Sequence, residues 1–393
     1  MKKVFISFTL VLLSVAAGAQ QFYQDATNPE MVRPSEHRNI HRTEIIIPQV
    51  NGLNVYKADL HTHTIYSDGQ VNPKYRVAEA WQDGLDIMAV TEHIEYRPAE
   101  AEMTLYLENL IDKKHDDLVA RYKDGKRPGK DAKMVDLNTS VNKAQALAKG
   151  YGITIIPGLE ITRDAGTVGH FNALFTTDNN LVYDKDPYKA ILNAKAQGAL
   201  IQHNHPGWRR TEVGYNEFQE KIYGEGLVDG VEVVNTAEIY PSITDRCNKE
   251  GLYITANTDV HAATAAQYGT YGETRPMTLV FAKDKSLDSV REALESCRTL
   301  AFAYGNLWGA DQLLKDLFLA CVKVEHVNGN KYLVTNISSI PFLVAVPGRN
   351  PVHIDPSTSF FFNVPNNGNA ITLELRNMWS GAETHPTVEI IVK

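Results

Sequence analysis

Short apolar runs punctuate the chain from Asn54 onward, and longer stretches of helical spacing separate them. The runs are Asn54–Leu60, Leu85–Val90, Ile153–Leu159, His170–Phe175, Gly198–Gln202, Asp229–Val234, Leu252–Asn257 and Met277–Ala282. Their length and their flanking turn residues predict strands. Between them, Tyr75–Asp83, Ser140–Gly150 and Pro187–Gly198 read as helices. The last opens on Asp186-Pro187, a good cap and first-turn pair, and closes on a glycine. This alternation predicts an α/β fold with a mostly parallel sheet, open or closed, and about eight strands suit a barrel related to the TIM design.

After Asp316 the rhythm changes. Tyr332–Ile337, Phe342–Pro347, Ser359–Val364, Ala370–Leu375 and Thr387–Val392 are β-like runs separated by Asn, Gly and Pro. No helical stretch intervenes, which predicts a small C-terminal antiparallel β module. Residues 20–49 are polar, broken by Pro29, Pro34 and Pro48, and read as a lead-in arm. Asp112–Asp136, rich in Lys and Asp, reads as a solvated helix end and loop.

The first residues add a destination. Lys2 and Lys3 precede an apolar stretch, Val4–Ala17, and the small residues Ala17-Gly18-Ala19 follow. This is the pattern of an export signal cleaved before Gln20, and it falls short of the ~20 apolar residues of a bilayer span. No cysteine follows the cleavage site, so no lipid anchor is expected. The expectation is a secreted protein, of a bacterial periplasm, without a membrane anchor. A net charge of −8 in 393 residues argues against a nucleic acid polymer as partner, while leaving room for a local anion pocket. Cys247, Cys297 and Cys321 are too few and too far apart for a disulfide framework or a thiolate metal site.

Candidate chemistry comes from the histidines. Seven of 13 fall at the ends of predicted strands. His61 and His63 lie in KADLHTHTIYSDG, His93 in VTEH, His170 in GHFNALF, His203 and His205 in QHNHPG, and His261 in NTDVH. His37, His41, His115, His326, His353 and His385 show no such placement. Residues two apart in an extended chain point the same way. Strand carboxyl ends in a parallel α/β fold share one face, so distant motifs converge there. Imidazole with carboxylate is the ligand set of Zn, Mn or Fe rather than Ca. Six histidines with Asp68, Glu160 and Asp259 are too many for one ion. They predict two or three divalent ions, with Glu160 central enough to bridge. Ions ~3.5–4 Å apart suit hydrolysis at phosphorus.

Taken in order, DLHTHTIYSDG, VTEH, GLEIT, HFNALF, HNHPG and NTDVHA resemble the successive motifs of the polymerase and histidinol phosphatase (PHP) superfamily, over Lys57 to Ala262. The resemblance implies a distorted (β/α)7 barrel and metal-dependent phosphoester hydrolysis. Motif by motif, it implies a first metal on His61, His63, Asp259 and the shared Glu160. It implies a second on His170, His205 and Glu160, and a third on Asp68, His93 and His261. Glu92 stands where the family often has Asp and is not implied as a ligand. His203 is additional to the pattern and would orient a neighbouring ligand from behind or contact substrate. The expected organisation is a signal peptide at 1–19, an arm at 20–54, a PHP metallohydrolase domain at 55–315 and the β module at 316–393. The export signal, the GHFNAL and HNHPGW variants and the β module look most like the secreted Sb-PDE-type phosphodiesterases.

Phosphate recognition needs cationic donors beside the metals. Arg163 and Arg209 hang from loops on the ligand-bearing face and are the preferred candidates, with Arg210 and Arg275 behind them. Trp208 would stack on an aromatic leaving group or pack under its loop, and Tyr268 and Tyr271 would form a rim. The expected reaction is in-line attack on a small-molecule phosphate ester, a diester above all, by a metal-activated water, with no side-chain nucleophile. No G-x-S-x-G elbow occurs, which disfavours a serine esterase. The alternative is a carbamate or aryl ester hydrolase of the carbaryl-hydrolase-like branch, and a non-catalytic metal-binding protein stands third. Loss of a neighbour that merely orients a ligand costs about 10–100-fold. Asp259→Ala is therefore expected to lower turnover by more than about 100-fold; near-normal rates from a folded, metal-replete variant would remove Asp259 from the site.

Overall fold

The computed structural model describes residues 22–25, 27–34, 41–97, 136–268, 274–363 and 370–391. The expected export signal, Tyr271 and nearly all of Asp112–Asp136 lie outside these residues. Two compact units result, residues 1–42 and 43–393. In the first, strands β1 (Phe22–Asp25) and β2 (Asn28–Pro34) pair antiparallel, so the polar arm carries a hairpin.

In the second unit all eight predicted runs are strands. They are β3 (Asn54–Asp59), β4 (Ile87–Val90), β5 (Thr154–Thr162), β6 (His170–Leu174), β7 (Leu200–Asn204), β8 (Gly230–Asn235), β10 (Tyr253–Asn257) and β11 (Met277–Ala282). A two-residue β9 (Glu238–Ile239) folds back on β8, and β12 (Thr299–Ala303) and β13 (Asn306–Trp308) extend the far side. The helices are α1 (Pro73–Gln82), α2 (Thr139–Ala148), α3 (Pro187–Ala196), α4 (Glu217–Gly224), α5 (Pro241–Glu250), α6 (Thr264–Gln267), α7 (Leu287–Glu295) and α8 (Asp311–Cys321). Their starts follow the sequence chemistry. Asn72 and Asp186 accept from the backbone of α1 and α3, each with proline in the first turn, and Asn216 with Gln219 forms a reciprocal cap on α4.

The sheet is mixed rather than mostly parallel. Its order is β10-β8-β7-β6-β5-β4-β3-β11-β12-β13, followed by β20 (Met378–Trp379). Pairing is parallel through β3, β4 and β5 and again through β7, β8 and β10. Strand β6 runs antiparallel to both β5 and β7, and β11 runs antiparallel to β3 and β12. Loop length explains the first departure. Arg163 to Gly169 is too short for a parallel crossover, which takes a dozen or more residues, so β6 must return as a hairpin.

The edge left on β10 is satisfied by side chains. Thr278 accepts from Ala256 N (3.1 Å) and donates to Ala256 O (3.0 Å), while Thr299 accepts from Ile254 N (3.1 Å). These hydroxyls hold β10 against β11 and β12, and no backbone ladder joins β10 to either strand.

Helix α8 carries the main apolar core onward. Leu314, Leu317, Phe318 and Cys321, at helical spacing, pack in one cluster with Met88 and Leu279 on one side and Tyr332, Phe342 and Leu375 on the other. The expected boundary at 315/316 therefore falls inside a helix. Beyond it, β14 (Val322–Asn328), β15 (Lys331–Asn336) and β18 (Ser359–Asn363) form one antiparallel sheet. A second joins β16 (Phe342–Ala345), β17 (Val352–Ile354), β19 (Ala370–Leu375) and β21 (Thr387–Ile391). Cys247 and Cys321 are buried, Cys297 is half-buried, and all three are free thiols. Among the described residues no helix is long and apolar enough to cross a membrane.

Two expected rim or anion-binding residues are internal. Tyr268 is buried. Arg275 is buried between Asp59 (2.5 Å) and Asp83 (2.9 Å), so its charge is already matched and it faces no cavity that opens on the histidines. Removing one partner of a buried ion pair leaves the other uncompensated, at about 3–5 kcal/mol. Arg275→Met is expected to lose about that much stability in urea unfolding with an unchanged slope; a loss below about 1 kcal/mol would contradict the pairing.

Candidate metal centre

The chain turns sharply from strand to site at Leu60–Thr64. Thr62 points away from the cluster, donating to Ala89 O (2.7 Å), while its N–H reaches Thr91 Oγ1 (3.1 Å). Alternation then sends His61 and His63 the same way. A second pair of bonds, Asp259 N to His61 O (2.9 Å) and His63 N to Val260 O (3.2 Å), brings Asp259 and His261 alongside. Both Asp259 (φ 50°) and His205 (φ 27°) hold left-handed backbone that non-glycine residues seldom adopt, as residues at functional sites often do. Gly169 (φ 102°) precedes His170, and a Cβ there would lie 2.9 Å from Gln219 Nε2. Only glycine lets that histidine enter the sheet at this point.

All nine predicted ligands come together in three clusters: His61, His63 and Asp259; Glu160, His170 and His205; and His63, Asp68, His93 and His261. Within each, the candidate ligand atoms lie within 4.8 Å of one another. Glu160 is central. Its Oε1 faces His170 Nδ1 (3.2 Å), His61 Nε2 (3.7 Å) and His205 Nε2 (3.7 Å), and its Oε2 faces His63 Nε2 (3.9 Å) and contacts His93 Nδ1. Asp259 Oδ1 lies 3.2 Å from His61 Nε2 and 2.9 Å from His63 Nε2, and those two nitrogens are 3.1 Å apart. Asp68 Oδ1 sits 3.3 Å from His93 and 3.1 Å from His261.

These residues fit divalent ions. Asp68 Oδ1, Asp259 Oδ1 and His170 Nδ1 are buried without a hydrogen bond of acceptable geometry. A native protein seldom leaves such atoms unpaired unless a cation or water completes them. Charge tells the same story. Burial opposes a charge on His61, but Asp259, Glu232 and Glu160 outweigh it and push the imidazole up to about 10. Its neighbour His63 goes the other way, down to about 3, through burial and then the charges of His93 and His261. Burial alone would raise Glu160 and Asp259. The imidazoles, His93 and His170 around the first and His61 around the second, hold both well below the carboxylate range.

Several residues around the cluster were not legible as part of it. Glu232, between two valines of an apolar run, accepts from His61 Nδ1 (2.8 Å). Arg76, buried on the inner face of α1, donates to the carbonyls of His63 (2.9 Å), Ala262 (2.9 Å) and His261 (3.1 Å), tying two ligand-bearing turns together. Asn204 donates to Glu160 (3.0 Å) and to Asn172 (2.9 Å). Glu92 accepts from Thr64 N and Ser67 Oγ and holds the first turn. His203 departs from both of its expected roles. It is buried, stacks on Phe171 and bonds Tyr223 Oη (2.9 Å), facing the helix layer, so it touches neither the cavity nor a ligand's ring nitrogen.

The clusters open on a cavity of ≈ 840 Å³ lined also by Tyr96, Arg163, Trp208 and Arg209. Trp208 packs on His170 and His205, at 5.3 and 5.4 Å between ring centres, and the Arg209 guanidinium lies 4.3 Å over its ring. These three neighbours pack against the indole, which also lines the cavity. Arg163 is paired with Glu95 and with the carbonyl of Asp184 (2.6 Å), and Arg210 with backbone and Gln219. Arg209 is exposed and, among the described residues, faces no carboxylate within ion-pair distance.

A buried His/Asp/Glu cluster of this size, opening on a ligand-sized cavity, marks a metal-dependent enzyme. The PHP domain profile matches residues 59–297. Among solved structures, a two-domain protein from Bacteroides vulgatus containing a predicted PHP-like metal-dependent phosphoesterase is similar at 31% identity and a TM-score of 0.76, over 90% of this chain and 99% of its own. Histidinol phosphate phosphatase from Lactococcus lactis, complexed with zinc, L-histidinol and phosphate, is 16% identical over 63% of this chain and 97% of its own, with a TM-score of 0.30. A lesion-specific endonuclease from Pyrococcus furiosus is 16% identical over 66% of this chain and 60% of its own, at 0.38. No curated protein matches. The chain belongs to the PHP family, and family and ligand clusters together point to a metal-dependent hydrolase.

Because the His61 imidazole is raised to about 10, it keeps its proton through the neutral range in the ion-free protein, and an entering ion must displace it. Zinc binding at pH 8 is therefore expected to release at least one proton, and affinity is expected to fall on acidification. Calorimetry in buffers of different ionisation enthalpy reads this directly; uptake without proton release would contradict the charge arrangement.

Proposed function

We propose that this protein is a secreted phosphodiesterase of the PHP family, most like the Sb-PDE type, acting on a small-molecule phosphate ester in a bacterial periplasm. The observation that carries the reading is the pairing of the ligand clusters with one exposed arginine, Arg209, laid over Trp208 at the mouth of the same cavity. Mn, Zn or Fe suits the ligand set, and two or three ions suit its size. Such ions supply Lewis acidity that activates water and offsets charge on phosphoryl oxygens.

The protein's own contributions are more specific. Glu160, kept as a carboxylate by its imidazoles, gives one oxygen to each side of the cluster. Arg209 donates to a non-bridging phosphoryl oxygen, its guanidinium prepositioned by the indole. Trp208 packs on His170 and His205 and Tyr96 lies edge-on to His93, so both rings line the cavity beside the candidate ligands. Net charge and cavity size favour a small ester over a nucleic acid polymer. The Lys2–Ala19 pattern supports export, and the strands beyond Val322 support a C-terminal module of the Sb-PDE kind.

A carbamate or aryl ester hydrolase is the second reading, favoured by the neutralised Arg163 and the aromatic walls. Substrate preference separates the two. After chelation and readdition of Mn or Zn, cleavage of bis(p-nitrophenyl) phosphate is expected to exceed that of p-nitrophenyl phosphate and p-nitrophenyl acetate. A hydrogen bond to a charged group contributes about 1.5–3 kcal/mol, so Arg209→Gln should lower kcat/KM for the diester by about 10–100-fold and leave the acetate unchanged. Cleavage of the acetate alone would move the protein to the carbamate branch.

A further inference from the structure

Glu232 is fully buried in β8 and, among the described residues, pairs with no lysine or arginine; four donors lie within 2.9 Å of its two oxygens, with the Gln202 amide farther off (3.5 Å). Oε1 accepts from His61 Nδ1 (2.8 Å) and Asn257 Nδ2 (2.9 Å). Oε2 accepts from Asn235 Nδ2 (2.8 Å) and from the backbone N–H of His205 (2.7 Å). Each oxygen has both lone pairs engaged, so the group serves as an acceptor at four points and has no room to donate. A β-bulge beside it, where Val233 has no partner on β10, turns this stretch of β8 and fits an inward acid into an apolar strand.

Two of these donors belong to different metal clusters. His61 lies with His63 and Asp259, whereas His205 lies with Glu160 and His170, and these clusters share no residue. On His61 the bond to Nδ1 keeps a proton on that nitrogen and leaves Nε2, beside Asp259 and His63, as the nitrogen that would give up its proton to an ion. On His205 the bond to the backbone pins a residue in left-handed geometry, which sets where its ring enters.

We propose that Glu232 is a positioning residue that couples two metal subsites, fixing the tautomer of His61 in one and the backbone of His205 in the other. The role goes beyond the ester that is cleaved and rests only on the cluster's being a metal centre. The glutamine variant keeps the shape of the side chain but aims a donor at two donors, so both subsites loosen together.

The test is a zinc titration of the full chelator-treated chain against a chromophoric competitor, wild type beside Glu232→Gln. Loss of a carboxylate behind a ligand costs about 10–100-fold in affinity, and two binding steps are expected to weaken by that factor while any further step is unchanged. Equal affinities in the two proteins, or weakening of a single step, would overturn the coupling. A second reading does not depend on the variant's folding. Histidine-labelled, zinc-loaded wild type is expected to show His61 protonated at Nδ1 and metal-bound at Nε2 by long-range nitrogen–proton correlation. A proton on Nε2 would overturn the role outright. Wild type that takes up no zinc would overturn the metal centre itself, and this role with it.

Discussion

One carboxylate organises this molecule. Glu160 is fully buried, and an isolated charge in such a place would cost several kcal/mol even after relaxation. Four imidazoles within ion-pair distance, those of His61, His93, His170 and His205, and the Asn204 amide keep it ionised. Those partners come from β3, β4, β6 and β7, so the strands have to deliver polar groups to one end of the sheet. The short hairpin from β5 to β6 achieves this by laying His170 across from Asn204 and next to the glutamate's own strand. A regular parallel crossover would have placed a helix between them. The concave face becomes rich in amides, with Asn172, Gln202, Asn204 and Asn257 buried there, because a cluster of acceptors needs donors behind it.

Much of this was legible in the chain. The eight apolar runs gave eight strands because each carried its own period and its own turn residues, and α1 and α3 began where asparagine or aspartate preceded proline. The ligands were legible because chemistry repeated at one structural position: a histidine or acid just past an apolar run, several times over. Strand direction was not, since apolar periodicity is the same in either sense; only the seven-residue link before His170 hints at a hairpin. Helix α8 was missed as the bridge between the two β regions because the break was set from the strands that follow, while its apolar stripe crosses that point.

The supporting shell was harder to see than the ligands. Glu232 sits between valines with no spacing partner to reveal it, and Arg76, three residues before Glu79, reads as half of an ordinary helix-face pair. His203 misled for the opposite reason: it shares the QHNHPG motif with His205, but β7 ends at Asn204 and left-handed backbone at His205 parts the two rings, leaving His203 against Phe171 and Tyr223. Arg275 likewise follows the last ligand motif in sequence but answers Asp59 and Asp83 in space. Proximity along the chain identifies the strand end, and the backbone path there decides which side of it a residue occupies.

The seam between β10 and its neighbours bears on how the site can change over evolutionary time. A backbone ladder transmits a one-residue slip to every side chain of the strand, reversing inside and outside. Here the joint consists of separate hydroxyl contacts from Thr278 and Thr299, each made at a point. An insertion or deletion in the turn after Asn257 therefore leaves β11 and β12 in register. The turn that carries Asp259 and His261 is held instead by the Leu60–Thr64 turn and by Arg76, so the far side of the sheet is free to diverge while the cluster-bearing turns stay fixed.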